Sequence, residues 1–134
     1  MRIAVLMGGV SDEREVSLSS GVQVASALRN LGHTVVVVDT VRGSLDEAEE
    51  ALLLKVGVGA LPPLVGELAS LDEMQTVMLS GNSALSEIDV FFLTLHGGSG
   101  EDGTVQALLE VAGVAYTGSN RLGCSLAMDK EVSK

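Results

Sequence analysis

Cysteine is nearly missing from this chain: one residue, Cys124, among 134. A lone thiol cannot close an internal disulfide, so packing must hold the fold, and a reducing cytosol suits it. No His or Asn pattern assigns Cys124 a base, and Ser125, Leu126 and Ala127 beside it read as a small-residue helix surface. Aromatic residues are only 2% and tryptophan is absent, which leaves Val, Leu, Ala, Ile and Met to build the core. Basic residues number 8 against 18 acidic, a net charge of −10. That balance excludes the basic footprint that nucleic acid or an anionic membrane surface requires. No apolar run at the N-terminus is long enough for a signal peptide or a span, so a cytoplasmic protein is expected.

Glycine is plentiful, 16 residues against 2 prolines, and 46% of the chain is hydrophobic. Tight turns between the elements of one packed domain follow. Residues 2–7, "RIAVLM", form an apolar run closed by Gly8-Gly9 and predict a buried strand. From Ser17 to Leu31, Leu18, Val22, Ala25, Leu28 and Leu31 recur at helical spacing, and Gly32 follows as a C-cap. "TVVVVD" (34–39) predicts a strand buried on both faces, and "IDVFFLTLH" (88–96) a third strand. "TVQALLEVAG" (104–113) has helical spacing, "VAYT" (114–117) predicts a fourth strand, and 120–134 a last helix. Alternation of this kind specifies an α/β fold with a mostly parallel sheet flanked by helices. Residues 43–86, where "SLDEAEEALLLKVG" suggests an acidic helix and "LPPL" a break, read as a peripheral insertion over one sheet edge. Ligands in such sheets sit beyond the carboxyl ends of the strands. Here those ends lead into loops at 8–16, 39–42, 97–103 and 118–122.

One of these, Gly98-Ser99-Gly100-Glu101-Asp102-Gly103, has the G-x-G-x-x-G spacing of a dinucleotide loop. Its charges argue otherwise: Glu101 and Asp102 would stand where a pyrophosphate approaches a helix N-terminus, and like charges repel. The strand that follows ends in Thr117-Gly118, with no acid for a ribose. The first loop, "GGVSDEREVS", has no third glycine before its helix and carries Asp12, Glu13 and Glu15, although Asp39 does occupy a ribose-acid position. Neither loop continues into the Gly-Lys-Ser/Thr of a Walker A sequence.

Carboxylates clustered at the mouth of a sheet favour a cationic group, and an ammonium offers three donors to satisfy. Glu13 could hold an amino acid's amine while backbone N–H groups hold its carboxylate, and His96 could donate to that carboxylate. Blander readings stand beside this one. Asp12 and Glu15 complement a helix dipole, Asp102 or Ser99 caps the next helix, and a lone histidine ending a strand is a hydrogen-bonded structural residue. From the residues alone, the ligand is a small cationic or zwitterionic molecule.

"GGVSDEREVSLSSG" (8–21), "LHGGSGEDGTVQALLE" (95–110), "YTGS" (116–119) and "MDKEVSK" (128–134) together resemble the N-terminal segment of the D-alanine–D-alanine ligases, in that family's order. The resemblance implies a Rossmann-like, pre-ATP-grasp domain over 1–128 with an insertion at 43–86, and in 129–134 the start of a hinge into an ATP-grasp domain. It implies an ATP- and Mg2+-dependent ligase of peptidoglycan precursor synthesis. There the first D-alanine's carboxylate is phosphorylated and the second D-alanine's amine attacks the acyl phosphate. By resemblance Glu13 anchors the first D-alanine's ammonium and Val16 lines that pocket. His96 lies near the substrate carboxylate, and Lys130 reaches ATP phosphates from the hinge. Glu101, Asp102 and Gly103 match loop architecture, and no metal ligand falls in this segment. A homodimer is implied as well. The chain alone is expected to be catalytically incomplete. Two other readings remain: a stand-alone binding module for a small ligand, and an assembly module in which Leu52-Leu53-Leu54 marks an exposed patch.

Overall fold

The computed structural model describes residues 1–58 and 87–133. The "LPPL" break and most of the expected insertion lie outside the described residues. Strand β1 (Arg2–Met7) runs parallel to β2 (Thr34–Asp39) on one side and to β4 (Val90–Leu93) on the other. The two-residue strand β3 (Gly43–Ser44) pairs antiparallel with β2, so the sheet order is β3-β2-β1-β4. Helices α1 (Arg14–Asn30), α2 (Glu47–Val56), α3 (Thr104–Val111) and α4 (Arg121–Met128) complete the described elements, with a 3-10 turn at Gly98–Gly100.

Alternation along β1 builds two cores. Val5 and Met7 pack with Val22 and Ala25 of α1 and with Val37. Ala4 and Leu6 point the other way, towards Val105 and Leu109 of α3, with Phe91, Leu95 and Val38. Successive strand side chains face opposite sides, so a strand apolar at every position must be covered on both. Complete burial of an aliphatic side chain such as Leu6 stabilises the fold by about 1.5–3 kcal/mol. Gly21 is where α1 comes closest to the sheet: a Cβ there would stand 2.5 Å from the Met7 sulfur.

The observed elements differ from the sequence expectations in five places. Helix α1 begins at Arg14 rather than Ser17. Strand β2 is buried only in its second half, from Val37 to Asp39, while Thr34 is exposed. Strand β4 ends at Leu93 because the chain turns through Gly97 and Gly98, both at positive φ. Residues 114–117 form a single parallel bridge between Tyr116 and Phe91 rather than a strand, confined between turn glycines Gly113 and Gly118. The last helix stops at Met128, where Asp129 becomes extended and its carboxylate accepts from the Glu131 and Val132 amides. Of the expected insertion, the described part does cover an edge: β3 extends the sheet and Leu53 of α2 packs against the α1-side core. Among the described residues no helix is long and apolar enough to cross a membrane.

Candidate functional site

Helix α1 follows β1 on one face of the sheet and α3 follows β4 on the other. Between the carboxyl ends of these adjacent strands, therefore, the connecting loops diverge and leave a crevice. Its first wall is the turn after β1, where Gly8 and Gly9 adopt φ of +85° and +79°. A side chain at Gly8 is impossible for a second reason: its Cβ would stand 2.5 Å from both Arg14 and Asp39. These two form an ion pair through both guanidinium nitrogens, with side chains 8% and 2% exposed. Arg14 also donates to the Gly9 carbonyl at 3.1 Å, and Asp39 accepts from the Val41 amide at 3.0 Å. Asp39 is thus committed to the interior and closed to a ribose, although its strand-end position is that of a ribose-binding acid.

Serines tie the two walls together. The Ser17 hydroxyl accepts from the Gly8 amide at 2.8 Å and donates to the Thr94 carbonyl at 2.7 Å. The Thr94 hydroxyl donates to the Leu6 carbonyl at 3.0 Å. Nearer the mouth, the Ser11 hydroxyl donates to the His96 carbonyl at 2.6 Å and accepts from the Glu13 amide at 3.2 Å. The backbone of Gly97, at φ +67°, lies so close that a Cβ there would approach a Glu13 carboxylate oxygen to 3.0 Å. The Glu13 turn and the His96–Gly97 backbone are therefore brought together from sequence positions far apart. Glu13 is solvent-exposed, and His96 keeps 40% of its side chain exposed with Nδ1 3.9 Å from a Glu101 oxygen. Val16 lies on the first turn of α1, 41% exposed. Lys130 is exposed in the turn after α4, and no described contact joins it to Glu13 or His96.

The second wall explains the glycine-rich loop. Gly103 precedes α3 at φ +99° without a side-chain cap, and Asp102 instead accepts from the Thr104 amide at 2.8 Å. A carboxylate already bonds to the first turn of that helix, so a phosphate would meet negative charge where it needs free N–H groups. Gln106, which sequence reasoning passed over, donates to the Gly100 carbonyl at 2.8 Å and fixes the 3-10 turn from below. Its buried amide oxygen has no partner among the described residues. Beyond Glu101 the loop borders a groove of about 340 Å³ that includes Leu95, Gln106, Thr117 and Cys124. A larger one of about 530 Å³ runs between α3 and α4, beside Gly103 and Ser125. Neither is lined by Glu13 or His96, and it is the chemistry of those side chains that singles out their crevice. Cys124 is half-buried, its sulfur 3.6 Å from the Ser119 carbonyl. Farther out, Glu110 accepts from the Tyr116 hydroxyl at 2.7 Å and from the Arg121 amide at 3.2 Å. The Tyr116 hydrogen bond, followed by that of the Arg121 amide, lowers the Glu110 carboxyl below its ordinary value. The same bond to Glu110, and then burial, raises the Tyr116 phenol.

Arg14, Ser17 and Thr94 were not singled out from the sequence because their partners lie 25 and 77 residues away along the chain. The signal available for Arg14 was its place between two acidic residues at a helix start, next to a glycine pair.

Residues 2–119 match a family model described as D-ala D-ala ligase N-terminus. A D-alanine–D-alanine ligase of a Marinomonas species is 43% identical over 132 residues, 98% of this chain and 32% of the relative. The solved structure of the D-alanine–D-alanine ligase from Bacillus anthracis complexed with ATP superposes with a TM-score of 0.62 at 32% identity, covering 99% of this chain and 32% of that one. D-alanyl-alanine synthetase A from Vibrio cholerae superposes with a TM-score of 0.67 at 26% identity, covering 99% and 35%. The chain thus spans about a third of the length of the relatives it matches.

Proposed function

This chain belongs to the family of D-ala D-ala ligase N-termini, and on that premise we propose that it is the first, substrate-binding domain of an ATP-dependent D-alanine–D-alanine ligase of peptidoglycan precursor synthesis in the cytoplasm. Residues 1–128 form the domain, and 129–134 begin the hinge to an ATP-grasp domain. The observation that carries the reading is the exposed Glu13 carboxylate held against Gly97 in the β1–β4 crevice, with His96 as the adjoining residue. A zwitterionic amino acid matches that pair: Glu13 accepts from its ammonium, and His96 donates towards its carboxylate. Val16, exposed on the same turn of α1, provides an apolar wall for a methyl group. The residues of the first loop bind and orient; fixing one reactant in line with the other is worth far more than the contacts alone.

ATP enters at the other end of the chain. Lys130 is an exposed ammonium on an otherwise acidic molecule and fits a phosphate as a point charge. Magnesium accompanies nucleotide phosphates in such chemistry and neutralises developing charge. Among the described residues no group of three or more His, Cys, Asp or Glu is gathered to hold a metal. On this reading the metal and most of the nucleotide are held by the rest of a ligase of which the chain spans about a third, and the chain alone is catalytically incomplete. Exposed Leu52 and Leu54 on α2 favour the homodimer as the assembled form.

Isothermal titration of D-alanine into the chain tests this directly. Heat of binding in the millimolar range is expected, about tenfold or more weaker in Glu13→Gln, because a charged hydrogen bond is lost. Equal binding by the variant, or no heat from the wild type, contradicts the assignment.

A further inference from the structure

We infer that Ser125 is a positioning residue: its hydroxyl clasps α4 to the Asp102–Gly103 turn and so sets the loop that bears His96 and Glu101. What that loop binds rests on the function proposed above, whereas the clasp rests on geometry alone. Helix α4 has only eight residues and buries none of them. Its apolar residues Leu122, Leu126 and Met128 are 64%, 45% and 48% exposed. A helix so short has little stability of its own, and with its apolar residues only partly covered its place depends also on polar attachments. One is the pairing of Arg121 with Glu110, Nε to carboxylate at 3.0 Å. The other is the Ser125 hydroxyl, which donates to the Asp102 carbonyl at 2.7 Å.

The second attachment is the one aimed at the site. Gly103 makes it possible: at φ +99°, a Cβ there would stand 2.6 Å from the Arg121 carbonyl and 2.7 Å from the Ser125 hydroxyl, so the α4 backbone rests directly on the glycine. The Asp102 amide donates to the Gly98 carbonyl at 3.1 Å, as does that of Glu101 at 3.1 Å, so the turn behind the clasp is itself closed. Glu101, one residue before the clasped carbonyl, faces His96 Nδ1. At its other end Ser125 accepts through its own carbonyl from the Asp129 amide at 3.2 Å, the residue before Lys130. One serine therefore bonds through its hydroxyl to the amino-acid side of the site and through its carbonyl to the segment that bears the phosphate-facing lysine. A shift of α4 is passed to the His96–Glu101 loop through a single hydrogen bond and a glycine contact.

The whole chain has only two histidines, His33 and His96, and their ring C–H signals in an NMR spectrum provide the readout. His33 lies in the turn between α1 and β2 and serves as the internal control. Ser125 is exposed on a helix, so Ser125→Ala removes the hydroxyl without disturbing a core. In this variant the His96 signals are expected to shift and broaden while those of His33 stay in place. The affinity for D-alanine, read from the same His96 signals, is expected to fall about three- to tenfold, the loss of one hydrogen bond. Ser125→Thr, which keeps a hydroxyl, restores both. His96 signals in Ser125→Ala that superimpose on those of the wild type overturn the inference, even if the melting temperature falls, because a purely structural serine would do that. If Ser125→Ala moves His96 while D-alanine moves no signal in the wild type, the clasp stands and the proposed substrate fails.

Discussion

Arg14 is surrounded by acidic residues in the sequence, yet its guanidinium is turned inward to Asp39, beneath the loop that holds Glu13 at the surface. The pair fills the space under Gly8, links the start of α1 to the end of β2, and leaves Asp12 and Glu13 as outward-facing carboxylates of that turn. Breaking a buried ion pair by neutralising one partner strands the other charge, at a cost of about 3–5 kcal/mol. Asp39→Asn is therefore expected to lower stability by that order in urea denaturation, and to weaken D-alanine binding only as far as folding is lost. Glu13 and His96 could be proposed from the sequence because they stand in short glycine-bounded strings whose chemistry can be read locally. The supports beneath them were not. Arg14, Ser17, Thr94 and Gln106 act through partners in other loops, and only the folded backbone brings those partners near. Asp39 was legible as a strand-end acid, but its pairing with Arg14 was not.

Among the elements, β1 and β2 were plain because continuous Val, Leu and Ile runs of strand length admit few alternatives, whereas 114–117 looked like a strand and is a single bridge. Four β-prone residues between two turn glycines cannot sustain a ladder, and composition alone does not reveal that. Helix α4 is the element whose place the sequence could not specify, since its apolar spacing suggests burial and the fold leaves that face open. What holds its N-terminus is the Tyr116–Glu110–Arg121 group, and both titratable members report on it. Glu110 has a lowered folded value, so its contribution is present above the ordinary 4.5 and is lost as pH falls through the folded value. Tyr116 has a raised folded value, so its contribution is present below the ordinary 10.0 and is lost as pH rises through the folded value. The chain has one tyrosine and no tryptophan, so absorbance in the phenolate band follows Tyr116 alone. Its titration midpoint is expected above 10.0, returning towards it in Glu110→Gln. A wild-type midpoint at or below the ordinary value contradicts the hydrogen bond.

At the scale of the molecule, the sheet order β3-β2-β1-β4 with helices on opposite faces places a crevice between β1 and β4. The charges at its mouth are carboxylates, not a basic cradle. That combination favours the proposed amino-acid site over a nucleotide site on a similar scaffold. It also accords with a division of labour in which this third of a ligase length holds one substrate while the nucleotide is held mainly elsewhere. The acidic balance and the α/β order were readable from composition and pattern. The faces that other chain segments or a second copy would cover were not, since exposed Leu122 and Leu126 look in sequence like any core-facing residues. The most direct test is a crystal structure of this chain soaked with D-alanine. The account predicts the ammonium within hydrogen-bonding distance of the Glu13 carboxylate, with the amino acid's carboxylate turned towards His96. D-alanine seated instead in the groove beside Gln106 and Cys124, or with its ammonium away from Glu13, would contradict it.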